Sequence, residues 1–240
     1  MTRPRFLVSP GALTETRIAL TGTELHHLRV RRLRVGSQLI VSDGQGTQKL
    51  GTLVALNRNQ ALIHLEADEE PPRESPLRLV LAQAALKADR MDLVIEKATE
   101  LGVSEVQVFS CERSLAQPSD ERCARWQRIA RSAAKQCQRS TVPLLTAPVP
   151  FDTVLTRAAS LRILFWEGLG NQPTGRMIGQ HRPSDALIMI GPEGGFTAGE
   201  VDRAAAQGFQ LWSLGPRVLR AETAALTAVA LCQFLWGDLH

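Results

Sequence analysis

The chain has 240 residues, 44% of them apolar and 22% charged, with a formal net charge of +4. That length and composition suit one large or two modest globular domains and exclude a disordered or fibrous chain. The excess charge is too small to demand a polyanionic partner, but it is unevenly placed. Residues 1–60 hold nine Lys/Arg (Arg3, Arg5, Arg17, Arg29, Arg31, Arg32, Arg34, Lys49, Arg58) against three acids (Glu15, Glu24, Asp43). That +6 excess concentrates positive field in one region.

From residue 5 to 65 short alternating runs predict strands at 38–42, 48–54 and 61–65, separated by the turn signals Asp43-Gly-Gln-Gly46 and Asn57-Arg-Asn59. The expected unit is a small β-barrel. The acidic, proline-marked stretch 66–76 has no periodicity and reads as a linker, giving domains at 1–70 and 76–240. Beyond it, apolar strands at 77–84, 103–110, 161–166, 186–190 and 211–214 alternate with helical patterns near 89–101, 119–138, 151–160, 198–207 and 221–236. Such alternation predicts an α/β domain whose parallel sheet is covered on both faces. Thr197-Ala-Gly-Glu200 fits a capping box, and Gly102 and Gly208 stand where helices close.

The cysteines Cys111, Cys123, Cys137 and Cys232 make no CxxC pair and no Cys/His ligand spacing. They read as free thiols in a reducing cytoplasm, with no metal site expected. The N-terminus has too short an apolar stretch for a secretory signal. The longest apolar segment, Ala224 to Trp236, contains Thr227 and Gln233 and falls short of the roughly 20 residues a membrane span needs. It reads as a buried helix.

Two glycine-marked turns carry the functional signal: Ile190-Gly-Pro-Glu-Gly-Gly-Phe-Thr197 and Leu214-Gly-Pro-Arg-Val-Leu-Arg-Ala-Glu-Thr223. Each follows an apolar strand and opens a helix, which places both at the carboxyl edge of the sheet, where open α/β folds bind ligands. Neither is a GxGxxG dinucleotide loop nor a GxxxxGK[ST] phosphate loop. Their glycines leave peptide groups accessible to a flat polar ligand. Glu193 reads as either a ligand contact or a cap of the following helix. Trp166-Glu167-Gly168 is a third candidate wall. A basic stripe, Arg128, Arg131, Lys135 and Arg139, recurs at helical spacing, which is either a solvated face or a polyanion contact.

The two turns, together with His26-His-Leu-Arg-Val-Arg-Arg32 and Met91-Asp-Leu-Val-Ile-Glu-Lys-Ala-Thr-Glu-Leu-Gly102, resemble the SPOUT class of S-adenosylmethionine-dependent RNA methyltransferases. Within that class the chain is similar to the family that methylates N3 of a uridine in small-subunit ribosomal RNA. The resemblance implies a PUA-like RNA-binding barrel followed by a SPOUT domain with a C-terminal trefoil knot, a homodimer, and no membrane partner. It implies that Trp166, Glu167, Gly191, Glu193, Gly194, Gly195, Leu214, Gly215, Arg217, Leu219 and Thr223 surround the cofactor. Arg220 and Glu222 are the catalytic candidates. His26, Arg29, Arg32, Arg131, Lys135, Gln136 and Arg139 are the expected RNA contacts, Arg29 and Arg32 lying three apart as on one helical turn. Lys135 stands where the family has an acid, and Gln138 where it has glycine. Two rival readings remain at this point, a non-catalytic ribosome factor that kept the fold and another nucleotide-using α/β enzyme. The absence of GxGxxG, a Walker lysine and GxSxG counts against the latter.

Overall fold

The computed structural model describes residues 3–69, 74–115, 117–169 and 182–239, so part of the expected linker (70–73) lies outside the described residues. The chain divides into two compact units, one of Met1–Glu74 with Arg131–Val142, the other of Ser75–Ala130 with Pro143–His240.

In the first unit, β1 (Arg5–Leu7), β2 (Arg17–Leu20), β3 (Gln38–Ser42), β4 (Gln48–Leu56) and β5 (Ala61–Asp68) form a curled sheet in the order β1-β3-β4-β5-β2. Only the β1–β3 ladder is parallel. Turn chemistry fixes the register. Asp43 Oδ1 accepts from the N–H groups of Gln45 and Thr47 at 2.8 and 3.1 Å, and Asn57 Oδ1 accepts from those of Asn59 and Gln60 at 2.9 and 3.0 Å. These are Asx turns, in which a short side chain stands in for a backbone acceptor. Inward residues Phe6, Leu20, Leu39, Val41, Leu53 and Ile63 make the core, closed by Leu25 and Leu28 of α1 (Gly22–Val30). α1 ends before Arg32, which takes φ 56°, so Arg29 and Arg32 do not share a helical face as their spacing suggested.

The second unit is a six-stranded sheet in the order β11-β9-β10-β6-β7-β8, and all its ladders are parallel. Its strands are β6 (Arg78–Ala84), β7 (Glu105–Ser110), β8 (Leu144–Pro150), β9 (Leu161–Phe165), β10 (Asp185–Ile190) and β11 (Gln210–Trp212). The helices are α2 (Ala88–Glu100), α3 (Asp120–Cys137), α4 (Phe151–Leu155), α5 (Ala198–Ala206) and α6 (Ala221–Trp236). One sheet face, with Val80, Ala82, Phe109, Leu187 and Met189, packs on Phe151, Val154, Phe196, Val201 and Phe209. On α6, Ala225, Ala228, Val229 and Cys232 are buried, and the helix packs on β6, β10 and α2. Burial pushes the Cys232 thiol up to about 12. No helix among the described residues is long and apolar enough to cross a membrane.

Two expectations change. β8 was not anticipated, because Pro148 and Pro150 argue against a strand. It survives as the edge strand, where a missing N–H costs no ladder bond. α4 is also half the expected length, stopping at Leu155. Moreover, α3 contributes to both units, its residues from Arg131 onward grouping with the first. The expected division at 70–76 leaves that second stretch of the N-terminal unit out.

The end of α3 is closed by its own backbone. Arg139 N–H reaches back to Ala134 O at 3.0 Å while Gln138 sits at φ 68°. This is the Schellman closure, with Gln138 at the position glycine normally takes. Replacing Gln138→Gly should therefore raise stability by about 1 kcal/mol by relieving left-handed strain. A urea midpoint that stays put or falls would contradict it. In the second unit, Arg157 forks onto Glu105 at 2.6 and 2.5 Å, and Glu105 is 4% exposed. Glu105→Ala should cost about 3 kcal/mol, the low end for a broken buried pair because Arg157 is partly exposed. The same urea titration checks it.

Candidate functional site

β9, β10 and β11 all end at one edge of the sheet, and three turns leave from there. After Ile190, Gly195 N–H donates to Pro192 O at 3.0 Å and Gly195 takes φ 67°. A Cβ at Gly195 would push the Glu167 carboxylate aside, and the left-handed φ itself favours glycine. The turn is braced from outside: Gln83 Nε2 donates to Gly191 O at 3.3 Å and Arg113 Nη1 to Gly194 O at 3.0 Å. It ends in the expected capping box. Thr197 N–H donates to Glu200 Oε2 at 2.9 Å, and Glu200, 1% exposed, also accepts from Glu112 N–H at 2.9 Å.

After Trp212, Ser213 Oγ exchanges hydrogen bonds with Gly215, which takes φ 105°, and Arg220 occupies the N-cap of α6. From β9, Trp166 N–H donates to Trp212 O at 2.8 Å before the chain turns into a short 3₁₀ helix at Glu167–Leu169.

These turns enclose a cavity of about 320 Å³, with an adjoining recess of about 60 Å³. Glu167, Gly191, Glu193, Gly195, Leu219 and Arg220 line the cavity. Trp166, Leu214, Gly215 and Arg217 line the recess, sharing Glu167 and Leu219 with it. Thus most of the candidate cofactor residues meet in one place. Gly194, Thr223 and Glu222 do not line it. Gly194 instead lies against Arg113, where a Cβ would stand 3.2 Å from that side chain.

Glu193 does not cap the following helix. Its Oε1 accepts from Lys87 N–H at 3.2 Å and from Arg90 Nη1 at 3.3 Å, so it closes the N-terminus of α2. Arg90 also faces Glu222, Nε to Oε1 at 3.9 Å. Among the described residues Glu222 Oε2 is buried with no hydrogen-bond partner. Arg90 lines the cavity and was missed; it sits immediately before the recognised Met91–Gly102 segment. Phe165 was missed too, although it lines both spaces. It is the last residue of β9, immediately before Trp166.

In the N-terminal unit, His26, Lys135 and Gln136 line a single cleft of about 500 Å³. The other RNA candidates do not. Arg29 Nη2 donates to the carbonyls of Asn57 and Arg58 at 2.8 and 2.7 Å. Arg139 pairs with Glu74 at 2.8 Å, its side chain only 11% exposed. Arg32 lies beyond α1, and Arg131 is exposed. Lys135 is itself paired with Glu24 at 2.7 Å. Burial, then the Lys135 charge, holds His27 below the usual histidine range. Among the described residues no group of three or more His, Cys, Asp or Glu side chains is arranged to hold a metal ion.

The RNA methyltransferase domain family matches residues 73–233, and the RNA methyltransferase PUA domain family matches residues 20–66. The chain is 36% identical over 231 residues to ribosomal RNA small subunit methyltransferase E of Synechocystis sp., spanning 94% of this chain and 76% of that one. It is 29% identical over 228 residues to the Bacillus subtilis protein of the same name, spanning 90% and 89%. The crystal structure of ribosomal RNA small subunit methyltransferase E from Neisseria gonorrhoeae, bound to S-adenosyl methionine, superposes with a TM-score of 0.91 at 33% identity over all of both chains. A putative methyltransferase of Legionella pneumophila in complex with the same cofactor gives 0.88 at 31%, again over all of both chains. The chain belongs to the RNA methyltransferase family, among the ribosomal RNA small subunit methyltransferase E proteins.

Proposed function

We propose that this chain uses S-adenosylmethionine to methylate small-subunit ribosomal RNA, at N3 of a uridine. One observation carries the proposal: three strand ends bring the peptide groups of two glycine turns around a single cavity of a size suited to a small ligand. The residues fit the cofactor. Phe165, Ile190, Leu219 and Ala224 offer apolar surface for a flat heteroaromatic ring. The bare backbone at Gly191, Gly195 and Gly215 leaves peptide groups for its polar edge. Glu167 supplies an anionic wall suited to a cationic ligand.

S-adenosylmethionine, when bound, supplies a methyl carbon made electrophilic by its sulfonium. The protein's own task is alignment and charge. Uridine N3–H is a weak acid, so the nitrogen needs its developing negative charge stabilised as its proton passes to solvent water. Arg220 lines the cavity at the N-terminus of α6, where guanidinium and helix dipole reinforce one another. Glu222 faces Arg90 rather than the cavity, so in this reading it anchors Arg90 with Glu193 and is not the base. N3 lies on the Watson–Crick edge, so the target base must be unpaired or flipped. The basic N-terminal unit suits the surrounding RNA, held by shape and phosphates. The same reading includes the C-terminal knot and the homodimer implied by the family. Exposed Phe234 on α6 and Leu93 on α2 offer apolar surface for a second copy.

Calorimetry should show S-adenosylmethionine binding to the wild-type chain and a loss of at least about tenfold in Gly195→Ala, because the new methyl displaces Glu167. Undiminished affinity in the variant would remove the cavity assignment. Arg220→Ala should lower methyl transfer to unmodified small-subunit RNA by about 10²-fold while cofactor affinity stays within about threefold. Mapping the methyl group by mass spectrometry tests the position: modification at any atom but uridine N3 would refute that part.

A further inference from the structure

We propose that the N-terminal unit carries a dedicated site for one phosphate group, in the cleft between a face of α1 and the last turns of α3. The cleft is built by spacing. Thr23, His26, His27, Val30 and Arg31 recur along α1 at helical intervals and line it, while Leu25 and Leu28 turn the opposite way into the core. Ser132, Lys135 and Gln136 of α3, all within this unit, form the facing wall, and Arg5 of β1 joins them.

The lining is rich in donors and poor in acceptors. Lys135 is compensated by Glu24, which leaves the charges of Arg5 and Arg31 facing the cleft. Glu69 moderates Arg5 from nearby. Arg31 Nε donates to His27 Nε2 at 3.1 Å, which places the imidazole proton on Nδ1. Among the described residues that Nδ1 and Arg5 Nε are buried with no hydrogen-bond partner. Two buried, unsatisfied donors in one small region need a reason, and a ligand is one. The low pKa of His27 agrees. After burial, Lys135 is its largest cause, and Arg31 and His26 lower it further against Glu24.

A cluster of N–H and O–H donors on three elements, around net positive charge, is the recognition chemistry of a phosphate oxyanion. Its source is either a phosphodiester of the bound RNA or a free phosphate. The first choice rests on the RNA-methylating function proposed above; the site itself does not.

The test uses the full chain with S-adenosylmethionine and two variants chosen to keep the fold, Arg31→Gln and Thr23→Glu, both at exposed positions. A labelled small-subunit RNA fragment is titrated over a range of salt concentrations. For an RNA phosphate, each variant should weaken binding about five- to tenfold and lower the salt slope by about one. Cofactor affinity and the urea midpoint should not change. In a second arm, inorganic phosphate is titrated while the side-chain resonances of His27 are followed. Shifts in the wild type that vanish in Thr23→Glu, with an unchanged RNA salt slope, would support the site and assign it to free phosphate. Unchanged slopes together with silent His27 resonances would overturn it. Failure of the wild type to bind S-adenosylmethionine would strike the proposed function instead.

Discussion

A parallel strand sends its carboxyl end to the same edge as its neighbours, and here β9, β10 and β11 do so side by side. Their bonded registers bring Ile190 beside Phe165 and Phe165 beside Trp212, so the residues that follow emerge within a few ångströms of one another. Everything in the cavity depends on that convergence. The turns leaving the three strands are separated in sequence but share Phe165, Glu167, Leu219 and Ala224 as walls. Glycine is favoured where two of these turns meet: Gly195 lies against the Glu167 carboxylate in a left-handed conformation. The sheet's buried faces hold the strand ends rigid, and a rigid scaffold with adaptable turns is the usual arrangement of a binding site.

Much of this was legible in the chain, for physical reasons that can be named. Continuous apolar runs marked β6, β9 and β10, because a strand covered on both faces needs no polar alternation. The capping box at Thr197 and Glu200 was readable because its two hydrogen bonds are local. Long-range pairing was not. Glu193 binds Lys87 and Arg90, more than a hundred residues away, and nothing in its own neighbourhood points to α2. Arg90 escaped notice for the same reason. Local chemistry misled in the opposite direction at β8, where prolines spoke against a strand that needs only one bonded edge.

The basic stripe of α3 illustrates how charge read along a helix overstates charge available to a partner. Lys135 keeps the spacing of a cationic face while Arg139 falls beyond the helix end, and each meets a carboxylate from elsewhere in its unit. The counter-ions Glu24 and Glu74 are distant in sequence, so the helix alone could not reveal them. Lys135 is neutralised by Glu24, 111 residues earlier in the chain. The consequence is less free positive charge at the C-terminal end of α3, where Arg31 and Arg5 face Lys135 across the cleft.

Arg90 gives the cavity a link to the helix beneath it. Its guanidinium lies between Glu193 in the first turn and Glu222 in the first turn of α6, so α2, the β10 turn and α6 are joined through one side chain. Arginine suits this position because its planar fork presents Nη1 to Glu193 and Nε toward Glu222 from fixed directions. The pair distances of 3.3 and 3.9 Å, and the buried Oε2 of Glu222, describe a network held loosely on one side. A buried carboxylate oxygen short of a donor resists further tightening unless another donor arrives. Arg220 is the N-cap of the helix whose first turn carries Glu222. Through that link the anchoring of α2 bears on the helix whose N-cap, Arg220, lines the same cavity.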